Sequence, residues 1–372
     1  MNILIAADSF KDALDSFSVC DAIAKGIQLA NPKIKITKFP LADGGEGTSD
    51  ILMHHLGGHK KEIVVSDPLL RSIHTDYVIS QDGNTAFIEL AKSSGLQLLA
   101  DDERNPMFTS TFGLGEMIND AIHEGVTNII LSIGGSATND GGMGMASALG
   151  FRFYDVNGIL LPGSGKDLGL VVNMEVDDEV KDTLNKISFT TICDVTNPLY
   201  GIKGAAQVFA TQKGGTSDDI ILLDKGLKHF ATVMNAELLA EKEGAGAAGG
   251  VGFGSMLFLQ AKLYKGIQLV MEMTKFEEQV RLCDVIITGE GKLDGQTAHG
   301  KLIQGVTDIA SKYQKPVIAL CGAVAASPDG IKDLGLQAAF SISTGPQSLE
   351  QALKSTAQNL EVAAFNVVRC ME

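Results

Sequence analysis

The sequence predicts an α/β protein of two domains: a parallel α/β domain assembled from both ends of the chain, and an α+β domain inserted between them. Three observations lead there. The 372 residues suffice for two domains at roughly 150 residues each. Both ends alternate short apolar runs with helical periodicity, the pattern of a parallel sheet. The middle carries hairpin signals instead, which point to an α+β arrangement. The expected division assigns residues 1–66 and 281–372 to the first domain and 67–280 to the second.

Residues 2–7 read as a strand. Ser18 and Asp21 form a capping-box pattern ahead of Ala22, Ile23, Ile27 and Ala30, a helix that stops at Asn31-Pro32. Residues 34–39 alternate as a second strand, and Ile51, Leu52 and Leu56 mark a helix closed by Gly57-Gly58. In the middle, Gln81-Asp82-Gly83-Asn84 separates two β-rich runs, and Asn157-Gly158 repeats the device. Leu114, Met117, Ile118 and Ile122 share a helical face, followed by a strand at 129–133. Another strand is expected at 189–193, and Ile220, Leu223, Leu227, Phe230 and Met234 fall at helical spacing. The last quarter returns to alternation: strands at 285–288, 317–321 and 338–342, helices at 302–313 and 349–368.

Composition narrows the function. Asp and Glu total 45 against 30 Lys and Arg, a formal charge of −15. Such a field repels nucleic acid and anionic membranes, so any anion site has to be built locally. The chain has no Trp, which disfavours base-stacking platforms. The five cysteines show no Cys-x-x-Cys spacing and suit a reduced, cytoplasmic protein. The first apolar run is too short for a signal peptide. The uncharged stretch 244–261 contains six glycines and reads as a loop entering a helix, not a membrane span.

The chemistry is expected in glycine-rich loops at strand ends. Asp8-Ser9-Phe10-Lys11 leaves the first strand, Asp43-Gly44-Gly45-Glu46-Gly47 the second, and Gly289-Glu290-Gly291-Lys292-Leu293-Asp294 a third. With strand order 2-1-3-4-5, one crevice would hold Asp8, Asp43, Glu46, Glu290 and Asp294 with Lys11. So many like charges at one edge call for a cation; as ordinary turns, these carboxylates would cap helices instead. The run Gly134-Gly135-Ser136-Ala137-Thr138-Asn139-Asp140-Gly141-Gly142 sits between a strand and a helix, the geometry of a phosphate cradle. Ser136, Thr138 and Asp140 add oxygens for phosphate or Mg²⁺. The other reading is a tight turn with Asp140 capping the helix. Asp194, at a strand end before Thr196-Asn197-Pro198, suggests a ligand-facing loop or an Asp turn.

Two formal matches are discounted. Gly244-Ala-Gly246-Ala-Ala-Gly249 follows a helix end, not a strand, so a dinucleotide site is not expected; a glycine-rich lip or a close helix contact fits better. The stretch 295–301 matches the first seven positions of a P-loop, but Leu302 replaces the Ser or Thr that would hold Mg²⁺, and the preceding strand is expected to end at Thr288. Lys301 remains a candidate phosphate contact.

The stretches "DSFK", "PLADGGEGT", "GGSATNDGGMGMASALG", "CDVTNPLYG", "GAAQVFATQKGG", "GAGAAGG" and "ITGEGKLDGQTAHGK" resemble the bacterial-type glycerate kinase family. The resemblance covers essentially the whole chain. It implies a flavodoxin-like domain with an inserted second domain and an active-site cleft between them. It also implies transfer of the ATP γ-phosphoryl group to D-glycerate with Mg²⁺, giving 2-phosphoglycerate or, in some members, the 3-phosphate. This sequence has Asp12-Ala13 where the family commonly has Gly-Ser, and Ala210-Thr211 where it has Gly-Pro. Phosphoryl transfer needs a cradle, a cation for the nucleotide phosphates, a base and a clamp for the acceptor carboxylate. The candidates are Gly134, Gly135, Ser136, Thr138, Asn139, Gly141, Gly142 and Lys301 for phosphate, and Asp140, Glu290 and Asp294 for Mg²⁺. Asp194 or Asp43 would be the base. Lys11, Arg71 or Lys301 would clamp the carboxylate, with Asp8, Ser9 and Glu46 beside the acceptor. Other readings are a kinase for another hydroxy acid, a two-domain binding protein, and, on the misplaced 244–249 match alone, a nicotinamide oxidoreductase.

Overall fold

The computed structural model describes residues 1–293 and 302–371. The chain forms two compact units, Met1–Asp43 with Ile267–Glu372, and Gly44–Gly266. β1 (Asn2–Ala7) and β2 (Lys35–Lys38) open the first unit. The second holds β3 (Gly58–Ser66), β4 (Ser72–Ser80), β5 (Thr85–Glu89), β6 (Asn128–Ser132), β7 (Arg152–Tyr154), β8 (Asn173–Glu175), β9 (Ser188–Ile192) and β10 (Lys262–Tyr264). The chain returns to the first with β11 (Val285–Leu293), β12 (Val317–Val324) and β13 (Ala338–Ser341). The first crossing falls at residue 43, not 66, because β3 pairs along its length with β4 and so belongs to the second sheet.

The first unit is a five-stranded parallel sheet in the order β2-β1-β11-β12-β13. This is the doubly wound order 2-1-3-4-5, with its switch point between β1 and β11. Ile3, Ile5, Ile23, Ile27, Ile287, Leu320 and Leu360 share its core. Two expectations change. β11 runs on to Leu293, past Thr288, held by pairing with the equally long β12. The first helix, Ser16–Ala30, begins one turn earlier than the Ser18 box implied: the Asp15 carboxylate accepts from the Ser18 N–H at 2.7 Å. That helix packs on Thr356–Met371, and Gly26 permits the approach.

The second unit is a six-stranded mixed sheet, β10-β9-β6-β5-β4-β3. β10, β9, β6 and β5 are parallel; β4 and β3 are antiparallel. The hairpin at residues 81–84 joins β4 to β5, and β5 is also the last strand of a four-stranded parallel array. In that array Tyr264, Ile192, Ser132 and Glu89 are register neighbours at the carboxyl ends. Phe153, Phe230, Phe253 and Phe258 cluster in the core. Among the described residues no helix is long and apolar enough to cross a membrane; part of the 244–261 stretch is the helix Ala247–Phe258.

A Cβ at Gly26 would stand 2.1 Å from the Glu361 carbonyl oxygen and 2.9 Å from the Ala364 Cβ. Gly26→Ala should therefore destabilise the protein by about 1–3 kcal/mol, despite the ~1 kcal/mol that alanine gains in a helix. Urea unfolding checks the sign; a more stable variant would show that the two helices can separate at no cost.

Candidate active site

In open α/β sheets, ligands bind beyond the carboxyl ends of parallel strands. Each unit places candidate residues there. In the second unit β6 leads into the glycine-rich run. Gly134 and Gly135 are exposed, Ser136 is 5% exposed, and Thr138, Asn139 and Asp140 are fully buried. Three of its amides already have partners: Ala137 donates to the Ser94 carbonyl, Gly141 to the Gly249 carbonyl, and Gly142 to the Asp140 carboxylate. The accessible part of the expected cradle is thus Gly134-Gly135, with Ser136 buried behind it. The helix that follows, Met143–Ala148, is only six residues long.

Asp140 does not sit as a metal ligand. Its Oδ2 accepts from the Thr111 N–H at 2.7 Å, the Thr111 hydroxyl at 2.7 Å and the Gly144 N–H at 3.2 Å, while Oδ1 accepts from Gly142 at 3.1 Å. The carboxylate is sealed from solvent and occupied by protein donors. Burial raises its pKa, and the Thr111, Gly142 and Gly144 donors oppose the rise. It serves buried donors at the starts of two helices, while the N-cap position expected for Asp140 is held by Gly142.

The run is braced by the second glycine-rich segment. Ala248, Gly249 and Gly250 take left-handed conformations in succession. A Cβ at Gly249 would meet the Thr138 carbonyl oxygen at 2.0 Å. The GxGxxG match therefore serves a close backbone contact.

Sequence reasoning missed Lys213. It ends the short helical turn Thr211–Lys213, before Gly214 with φ +87°, and is 2% exposed. Its Nζ donates to the Ser136 Oγ at 2.7 Å and to the Thr138 carbonyl at 2.6 Å. Burial lowers its pKa to about 7, against an opposing pull from the Asp140 charge. The only sequence signal was a lysine next to paired glycines. Beside it, both polar atoms of the Asn139 amide and the Thr138 hydroxyl are buried without a hydrogen-bond partner among the described residues.

Asp194 is exposed just past the end of β9, with Oδ1 accepting from the Gly266 N–H at 2.8 Å. Glu46 is exposed in the loop 44–47, which belongs to this unit. That loop is tied down by Glu89, a second missed residue. Its buried carboxylate accepts from Gly47 N–H at 3.2 Å and from Ser49 N–H and Oγ at 2.8 Å. The loop lies against the cradle, where a Cβ at Gly134 would be 3.4 Å from the Gly45 Cα. Arg71 does not join this group. Its guanidinium is neutralised by Asp67 and Glu103, each at 2.5 Å, so it is not positioned as a carboxylate clamp.

In the first unit β1, β2 and β11 bring Asp8, Asp43 and Glu290 near one another. Burial, then the charges of Asp43 and Glu290, push the Asp8 carboxyl well above its ordinary range, while the Ser9 N–H at 2.7 Å pulls the other way. Glu290 is 8% exposed. Lys11 is exposed and makes no ion pair among the described residues. Asp294 and Lys301 lie outside the described residues, as does the P-loop-like stretch. Among the described residues no three His, Cys, Asp or Glu side chains converge tightly enough to cage a metal ion. Mg²⁺ in phosphoryl-transfer sites needs only one or two carboxylates beside the substrate phosphates, and the Asp8, Asp43 and Glu290 oxygens fit that hard-cation chemistry.

Asp140→Ala would strand several buried N–H groups and should cost about 3 kcal/mol or more, read by urea unfolding. An unchanged midpoint with weakened Mg²⁺ binding would restore the metal-ligand reading. Asp8→Asn should raise the melting temperature near neutral pH, because a carboxyl with a raised pKa destabilises the fold once ionised. That gain should shrink as pH falls toward the ordinary carboxylate range, where Asp8 is protonated in both states. A gain that grows in acid would contradict the crowding.

The model of the glycerate kinase family matches residues 3–372. A protein named glycerate kinase from Bacillus cereus is 42% identical over 370 residues, covering 99% of this chain and 97% of the relative. A protein named glycerate 2-kinase from Escherichia coli is 39% identical over 373 residues, with 99% and 97% covered. A crystal structure assigned as glycerate kinase 2 from Salmonella typhimurium LT2 superposes with a TM-score of 0.86 at 38% identity, covering 100% of this chain and 98% of the other. Matched along its whole length in both sequence and fold, the chain belongs to the glycerate kinase family.

Proposed function

We propose that this protein transfers the γ-phosphoryl group of ATP to D-glycerate, forming 2-phosphoglycerate and ADP. Family membership supports the kinase activity, and the relative named glycerate 2-kinase supports the position. The observation that carries the reading is the carboxyl edge of the parallel strands in the second unit. It joins an exposed glycine lip, a buried ammonium behind Ser136 and the exposed Asp194 carboxylate in one unit. Phosphoryl transfer asks for such parts: donors toward the phosphates and a base toward the acceptor hydroxyl.

In this reading Gly134, Gly135 and Ser136 receive phosphate oxygens. Asp194 accepts the glycerate hydroxyl proton. Its Oδ1 is oriented by the Gly266 N–H, which fixes the direction in which the carboxylate presents itself. In the first unit, Asp8, Asp43 or Glu290 would hold Mg²⁺, with Lys11 beside them as a cation for a carboxylate. A cytoplasmic location belongs to this reading, supported by five free cysteines, three of them buried.

Incubation with Mg-ATP and D-glycerate, followed by phosphorus NMR, tests the activity and the position together. A phosphomonoester coupled to one carbon-bound proton marks the 2-phosphate; coupling to two marks the 3-phosphate. No transfer to glycerate would discard the substrate. Asp194→Asn should lower kcat by about 10²–10⁴-fold with little change in the KM for glycerate. Near-normal turnover in that variant would remove Asp194 from the base role and leave Asp43 as the candidate.

A further inference from the structure

A buried ammonium is normally matched by a carboxylate in direct contact. Lys213 has none. Its two partners are a hydroxyl and a carbonyl oxygen. The Asp140 charge acts on it from the same run, but that carboxylate is taken up by Thr111, Gly142 and Gly144. Arg104, on the segment packed against Gly214, is paired with Asp101. Lys213 therefore stands buried with no anion in direct contact.

The direction of one hydrogen bond shows where the anion belongs. Lysine can only donate, so the Ser136 Oγ accepts from Lys213. The hydroxyl proton must then point elsewhere, and it has no acceptor among the described residues. Ser136 stands where the run passes from exposed Gly134-Gly135 to buried Ala137. The Asn139 amide and Thr138 hydroxyl, both fully buried and unpartnered, leave the same stretch with further unused hydrogen-bonding capacity.

We infer that Lys213 is a positioning residue for the nucleotide phosphates: by donating to the Ser136 Oγ it turns and polarises that hydroxyl so that its proton meets a phosphate oxygen at the Gly134-Gly135 lip. This inference rests on the phosphoryl-transfer reading above and adds a residue and a role to it. The ammonium polarises the serine hydroxyl toward the ligand while the lysine itself stays out of solvent. Donation from a charged group strengthens the next hydrogen bond in the chain.

The test uses the full-length protein with Lys213→Met, Ser136→Ala and the double variant. Each single change should weaken ADP and pyrophosphate binding by calorimetry, and raise the KM for ATP, by about tenfold or more. The KM for glycerate should stay unchanged. The double variant should lose no more than the weaker-binding single one, because both act through one bond. In the parent protein, ADP affinity should fall as pH rises through about 7 and Lys213 loses its proton; Lys213→Met should abolish that limb. Parent-like ADP affinity and ATP KM in folded Lys213→Met, or additive losses in the double variant, would overturn the inference. If Lys213→Met does not fold, Ser136→Ala and the parent's pH limb decide, and unchanged ADP affinity in Ser136→Ala refutes it. A parent that binds neither ADP nor pyrophosphate defeats the phosphoryl-transfer reading itself. A parent that turns over glycerate while the variants match it defeats only the role of Lys213.

Discussion

The sealed carboxylate of Asp140 organises the second unit. It gathers the Thr111 amide and hydroxyl with the Gly142 and Gly144 amides, and so ties the start of the helix Phe112–His123 to the start of Met143–Ala148. Four donors on one buried group compensate for its desolvation, and no water could replace them. With that knot in place, the run 134–142 has a fixed exit. Its remaining freedom is removed by the backbone of Gly249 and Gly250, pressed against Thr138 and Gly141. What stays open to solvent is the short lip of Gly134 and Gly135. A rigid lip on a rigid knot is what electrostatic stabilisation of phosphate requires, because donors that need not reorganise cost nothing at the moment of transfer.

The two units place their charges in opposite ways. In the first, Asp8, Asp43 and Glu290 crowd negative charge at the carboxyl edge of the sheet, and the Asp8 carboxyl responds by holding its proton more tightly. In the second, Lys213 is a cation without a contacting anion, and it responds by giving up its proton more readily. Each arrangement is unfavourable by itself, and a charge of the opposite sign would relieve it. Residues kept in this state cost stability, which is a common feature of sites built for binding.

The fold was largely legible. Apolar runs separated by helical periodicity located the strands of the first unit, and their order agreed with the doubly wound expectation. The hairpin at 81–84 was legible because turn residues carry their own conformational signal. β3 was not. Residues 58–66 carry four charged or histidine side chains, and only Val65 is fully buried, so no alternation of burial marks an edge strand there. β10 and the far end of β11 were missed for a related reason: short or extended pairing is dictated by a neighbour rather than by the strand itself.

By itself, the sequence determined the two-domain α/β class, the loops at strand ends and the family, because periodicity, turn chemistry and long motifs are local properties of the chain. Only the tertiary structure decided which residues of those loops have hydrogen bonds to spare. Asp140 and Arg71 looked like ligands but are occupied by Thr111, Gly142 and Gly144, and by Asp67 and Glu103. Lys213 and Glu89 looked unremarkable, yet they hold Ser136 and the loop 44–47 from positions far away in the chain. The reason is physical. Whether a charge binds a ligand depends on what else reaches it once water is gone, and those partners are brought together only by folding.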